Sequence, residues 1–160
     1  MTAIRSQADL EQYIQEQELV AEIIELEQPT HSVEAAALAV GASQGQIVKT
    51  VVFMAAGTPV LVLGSGTTRL NADAIAAAMG VPQQEVRLAR RAEVLAATGY
   101  EVGAVPPIGH PKSLTVLCDR RLSMLDIVFA GGGSQHALLR IRAEDILRLT
   151  GAVVLDLVER

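Results

Sequence analysis

The segment Ile47-Val48-Lys49-Thr50-Val51-Val52-Phe53-Met54 constrains this chain more than any other. Side chains alternate along a strand, so Lys49 shares one face with Ile47, Val51 and Phe53, while Val48, Thr50, Val52 and Met54 form the other. Neither face is an ordinary solvent surface, and a strand of this kind belongs in a sheet covered on both sides. Lys49 is then a cation in apolar surroundings, which is costly unless something compensates the charge. The chain has only two lysines, Lys49 and Lys112, against eleven arginines, so a lysine in its most apolar strand stands out. Two readings follow: a functional cation at the mouth of a sheet, or a long side chain that carries its ammonium group to water at the strand end.

With 160 residues, half of them apolar, the chain is long enough for one domain spanning residues 1–160 with a proper core. Its aromatic residues are Tyr13, Phe53, Tyr100 and Phe129, so the core must be built from Val, Leu, Ile and Ala, and base stacking on exposed rings is not an evident binding mode. No apolar run approaches the roughly twenty residues of a membrane span. Met1 to Leu10 has no apolar segment of a secretory signal, which makes the cytoplasm the default location, without membrane contact. Cys118 stands alone, which removes intramolecular disulfides. The net charge is −5, but it is unevenly spread. Ser6 to Val48 holds eight acidic residues and no Lys or Arg, whereas Lys49 to Arg160 holds twelve basic and ten acidic residues. That pattern excludes a high-affinity duplex DNA binder with a broad basic face and leaves room for a local contact to a phosphate backbone.

Turn and cap signals divide the chain finely. A polar helix is predicted over Asp9–Gln17 and a strand over Leu19–Leu26, ended by Pro29. Ser32 caps a helix with Val33, Ala36, Ala37 and Val40 on its apolar face and Gly41 as its left-handed stop. The Lys49 strand turns at Gly57-Thr58-Pro59 into a returning strand over Val60–Leu63, and Asn71 caps a helix that runs through Met79 to Gly80. Further along, Val86–Leu88 is extended and Arg91–Thr98 is a helix ending at Gly99. The Pro/Gly-rich stretch from Gly103 to Pro111 is an ordered loop. Strands at Leu114–Cys118, Ile127–Ala130, Ala137–Ile141 and Ala152–Leu157 and a helix at Ala143–Leu149 complete the pattern, with a turn or short helix around Arg120–Leu125. Strands and helices interleave without a clean repeat of strand, helix and parallel strand. The expected fold is therefore α/β mixed (α+β), a curved or partly closed mixed β-sheet surrounded by helices.

Few residues carry recognisable chemistry. Gly131-Gly132-Gly133 follows a strand and can either aim amide hydrogens at an oxyanion or phosphate, or make a bulge or tight turn. His31, His110 and His136 show no ligand spacing, so the sequence supports no metal site and no cofactor. Cys118 sits in an apolar strand, as suits an inert thiol, and no Ser stands in a nucleophile elbow. What remains is Lys49, the Pro/Gly loop, the glycine turn and small polar groups such as Thr30, Ser32, Thr50 and Ser134. Such a set can polarise a carbonyl and stabilise an oxyanion without a covalent intermediate, leaving water as the nucleophile.

In chain order stand His31-Ser32-Val33-Glu34-Ala35-Ala36, Gln46-Ile47-Val48-Lys49-Thr50, Arg69-Leu70-Asn71, Thr98-Gly99-Tyr100 with Gly103-Ala104-Val105-Pro106-Pro107-Ile108-Gly109, the Gly131–Gly133 turn and Leu149-Thr150-Gly151-Ala152. This order resembles the YbaK/ProX family of aminoacyl-tRNA deacylases, which includes the editing domain inserted in bacterial prolyl-tRNA synthetases. The resemblance implies a YbaK-like fold over nearly the whole chain and hydrolysis, in trans, of the ester joining a wrong amino acid to the 3′ adenosine of a tRNA. Synthetase pockets cannot reject smaller or isosteric amino acids by binding alone, which is why such editing exists. It implies catalytic roles for Lys49, Gly103 and Pro107, with Thr30, His31, Thr50, Val105, Pro106, Gly131, Gly132, Gly133, Ser134 and His136 around the substrate. The implied partner is the aminoacylated tRNA 3′ end, with prolyl-tRNA synthetase as a second candidate. Two departures from the family pattern stand out. Pro106-Pro107 replaces a common Ser-Pro, and Ser134-Gln135-His136 and Leu138 replace the basic residues and Asp of members active on cysteinyl-tRNA. A small amino acid such as Cys, Ala, Ser or Thr is the expected substrate, and a non-catalytic module binding aminoacyl-tRNA or a synthetase is the alternative.

Overall fold

The computed structural model describes residues 4–159; Met1 to Ala3, at the start of the stretch read for a secretory signal, and Arg160 lie outside it. Its helices are α1 (Gln7–Glu16), α2 (Val33–Val40), α3 (Ala72–Met79), α4 (Arg91–Thr98), α5 (Arg120–Ser123) and α6 (Ala143–Thr150). Its strands are β1 (Glu22–Glu25), β2 (Val48–Ala55), β3 (Thr58–Ser65), β4 (Val86–Leu88), β5 (Thr115–Asp119), β6 (Ile127–Gly131), β7 (Ala137–Arg142) and β8 (Val153–Leu155). The fold is mixed α/β, with two sheets that do not close into a barrel.

The larger sheet has the order β4-β2-β3-β5-β8, antiparallel from β4 to β3 and parallel from β3 to β8. The smaller sheet, β1-β7-β6, is antiparallel throughout. A single parallel bridge between Ile47 and Phe129 joins them at the start of β2. The main core lies between the sheets, where Val48, Val52, Leu61 and Leu63 meet Val128, Ala130, Leu139 and Ile141. Phe53, Val60 and Val62 pack on the opposite side of the larger sheet, with Ile75 of α3 and Leu157. Both faces of β2 are therefore covered, as the double apolar pattern requires.

Local signals set most of the boundaries. Ser32 Oγ accepts from the Ala35 amide and Gly41 closes α2 at φ 69°, while Asn71 and Gly80 do the same for α3. The β2–β3 hairpin turns through Ala56 and Gly57, both at positive φ, between the paired residues Ala55 and Thr58. Asp119, fully buried, ends β5 by accepting from the amides of Leu157 and Arg121, so one carboxylate ties the chain terminus to the start of α5.

Candidate functional site

A cavity of about 300 Å3 opens where β2 loses its neighbour. β4 pairs only with Phe53–Ala55, after which the chain turns into α4. The Val52 carbonyl accepts from the Ala89 amide on the β4 side, whereas the Ile47 carbonyl accepts from Gly66 toward β3. Strand alternation therefore directs the amide and carbonyl of Thr50 to the β4 side, at a level that no strand covers. The cavity is bounded there by β2, the entry to α2, the Gly103–Val105 loop, the end of β6 and the start of β7.

Lys49 is half-buried, on the face that also carries Val51 and Phe53. Its Nζ donates to the Thr68 carbonyl at 2.8 Å, and among the described residues it pairs with no carboxylate. An ammonium group has three hydrogens, so two are left for a ligand. Thr50 Oγ1 is buried without a hydrogen-bond partner among the described residues. An orphaned hydroxyl with no accessible surface costs stability, and a ligand can supply its partner only after a small shift of the wall.

The two glycine-bearing segments across the cavity differ in what their amides do. The Gly132 amide donates to Ala137 O at 3.1 Å and the Gly133 amide to Ala104 O at 3.0 Å. Among the described residues, no hydrogen bond within the chain engages the amides of Gly103 and Val105. Gln135 reaches across from the turn, with its Nε2 donating to Val102 O at 2.7 Å and its carboxamide against Gly103.

Of the residues singled out from sequence, Thr30, His31, Ser32, Lys49, Thr50, Gly103, Val105 and Gly131 border the one cavity. Pro106 and Pro107 are buried behind the loop, and Gly132 and Gly133 are buried in the turn, away from the cavity wall. Ser134 lies outside it too, donating to Gln7 Oε1 at 3.4 Å, and His136 is exposed. Gln135 is the polar wall residue that sequence reasoning passed over, because nothing local distinguishes a glutamine in a turn from solvated surface. The wall includes no Asp, Glu or Cys. Burial pushes the Cys118 thiol up to about 12, with Asp119 adding to the effect, so it is protonated and inert. A cation and uncommitted amides can bind and polarise an ester, and among the described residues the wall brings no carboxylate or thiol to attack it.

Comparison with known proteins places these features in a family. The chain matches the aminoacyl-tRNA editing domain over residues 27–149. A crystal structure of a proposed trans-editing enzyme for prolyl-tRNA synthetase superposes with a TM-score of 0.87 and 36% identity, covering 96% of this chain and 97% of that one. The crystal structure of the hypothetical protein APE2540 gives 0.86 and 37%, over 94% and 99%. The uncharacterised protein YwhH of Bacillus subtilis (strain 168) is 27% identical over 126 residues, 78% of each chain. The domain match covers most of the sequence, and the chain belongs to the aminoacyl-tRNA editing family, of the YbaK/ProX type.

Proposed function

We propose that this protein is a trans-editing deacylase that removes a small amino acid, such as Cys, Ala, Ser or Thr, from a non-cognate tRNA, with tRNA-Pro as the first candidate. The observation that carries the proposal is the pairing, across one cavity, of the Lys49 ammonium with the uncommitted amides of Gly103 and Val105. About 300 Å3 suits an aminoacyl ester and its ribose, the single-stranded end of a tRNA, and needs no broad basic surface.

In this reading Lys49 holds the 3′ nucleotide and sets the ester in place. Water attacks the ester carbonyl, a carbon–oxygen bond forms, and the oxyanion that develops is met by the Gly103 and Val105 amides. Collapse breaks the bond to the ribose oxygen, which takes up the proton that the attacking water gives up, and the free amino acid leaves. Pro106 and Pro107 contribute by fixing the backbone behind those amides. Thr30, His31, Thr50 and Gly131 shape the space for the amino acid.

The test is release of labelled amino acid from tRNAs charged with Ala, Ser, Thr, Cys and Pro, comparing wild type with Lys49→Ala. The expected result is selective release from one mischarged species, reduced about a hundredfold in the variant while folding is kept. Tight binding of every charged tRNA without release would replace the deacylase with a binding module. Cleavage of free aminoacyl esters as fast as of the tRNA would make it a small-molecule esterase.

A further inference from the structure

The first half of the loop that carries Gly103 and Val105 is held from across the cavity, by the Gly133 amide on Ala104 O and Gln135 Nε2 on Val102 O, but its second half, from Val105 to Gly109, has few such means. Pro106 and Pro107 have no amide hydrogen, and among the described residues no backbone–backbone hydrogen bond reaches the stretch from Val105 to Gly109. Two things fix it. Val105 and Ile108 pack into the main core, and Nε2 of His110 lies 2.7 Å from the Pro106 carbonyl oxygen. A carbonyl oxygen only accepts, so Nε2 is the nitrogen that carries the hydrogen. Gly109, at φ 76°, bends the chain so that a ring four residues on returns to the loop's own backbone.

The geometry points to His110 as a positioning residue for deacylation: its Nε2–H holds the Pro106 carbonyl and thereby, with the Gly133 bond to Ala104 O on the other side, keeps the Val105 amide aimed at the ester held by Lys49. This inference rests on the deacylase reading. His110 lies outside the wall of the substrate cavity, so it acts through the loop and not on the substrate. Its ring instead borders a second, polar cavity of about 190 Å3, shared with Tyr13, Lys112 and Thr150. Burial lowers its pKa below the ordinary histidine value, with the Pro106 carbonyl opposing and Arg5 adding to the shift. A neutral imidazole has one N–H, and here the loop takes it.

Steady-state kinetics on the most rapidly cleaved charged tRNA, with amide hydrogen exchange of the free protein, test this. His110→Leu removes the donor at similar size, and His110→Gln restores one. The Leu variant is expected to lower kcat about tenfold with KM within about twofold, because a small misplacement of catalytic amides costs rate more than binding. It should also speed exchange at the buried Gly133 amide, whose bond to Ala104 O reports on the loop, and Gln should recover most of both losses. Unchanged kcat and exchange in the Leu variant would overturn the proposal, as would a Gln variant no better than Leu. Should the Leu variant not fold, nitrogen NMR of the wild-type ring decides: a protonated Nε2 supports the strut and a proton on Nδ1 alone overturns it. Exchange and ring protonation are read without substrate, so failure of the strut is told apart from failure of the deacylase reading, which would show as no release by wild type.

Discussion

The Gly131–Gly133 turn and the Gly103–Pro107 loop meet across the cavity, and they use glycine for opposite ends. In the turn, an added Cβ meets backbone at each position: the Val105 carbonyl at Gly131, the Ala137 carbonyl carbon at 2.6 Å from Gly132, and Gln7 Cα at 2.9 Å from Gly133. The amides of Gly132 and Gly133 are also spent on neighbouring carbonyls. Gly103 is exposed, the atoms nearest to an added Cβ there belong to the carboxamide tip of Gln135, and its amide is uncommitted. The turn is a buttress that allows close approach of backbones, and the loop is the surface left free to meet a ligand. Glycine richness alone does not separate the two; the fate of the amides does.

The sharpest way to break this comparison is Gly132→Ala. Its new methyl group meets main chain that cannot swing aside, so a loss of about 3 kcal/mol or more is expected in denaturant unfolding. Wild-type stability would show that the turn is not a buttress. Gly103→Ala should behave differently. Its φ of 91° costs about 1–2 kcal/mol for a residue with a Cβ, while Gln135, the end of a flexible side chain, can move. The protein should therefore fold, with deacylation reduced about tenfold or more by the displaced amide. Equal damage to stability and activity in both variants would erase the distinction.

Most of the fold could be read from punctuation. Ser32 with Gly41, Asn71 with Gly80, and Gly99 after Arg91–Thr98 mark helix ends by local chemistry, and those helices lie where the pattern predicts. The strand predicted over Leu19–Leu26 is shorter, Glu22–Glu25, because Leu19 still belongs to the chain leaving α1, where its amide bonds Ile14 O. Division into two sheets was not legible, since strand pairing joins segments far apart, such as β1 to β7, and no local pattern encodes it. The site was legible in part for the same reason. Lys49 announced itself as a charge among apolar residues, but its bond to Thr68 O, the orphaned Thr50 hydroxyl and the reach of Gln135 to Val102 exist only after folding.

A smaller effect comes from the strand side of the cavity. Thr50→Val keeps the shape of the side chain and removes a buried hydroxyl that has no partner in the free protein. Stability should stay level or rise by about 1 kcal/mol, because the desolvation penalty of that group disappears. Release of amino acid should fall about tenfold if the substrate supplies the missing partner, a loss equivalent to about 1.4 kcal/mol. Stability and activity falling together would mean that Thr50 serves packing and that the loop alone faces the ligand.

The smallest effect separates the two segments by how they are held. The turn is tied by backbone amides, which do not titrate; the loop shares one of those bonds, from Gly133 to Ala104 O, and is tied in addition by His110, which does titrate. Burial depresses the folded-state pKa of His110, so the folded protein resists taking up a proton that the unfolded chain binds near the ordinary value of 6.5. As pH falls through 6.5 the unfolded state gains protons that the folded state lacks, and stability falls until the folded-state pKa is reached. His110→Gln keeps a donor for Pro106 but has nothing to titrate. Denaturant unfolding of wild type and variant should therefore agree in pH dependence above 6.5 and diverge below it, with wild type losing more. Parallel curves through that range would mean that the ring is protonated as readily in the folded protein as in the unfolded chain, and the contrast between a titrating loop and a non-titrating turn would be lost.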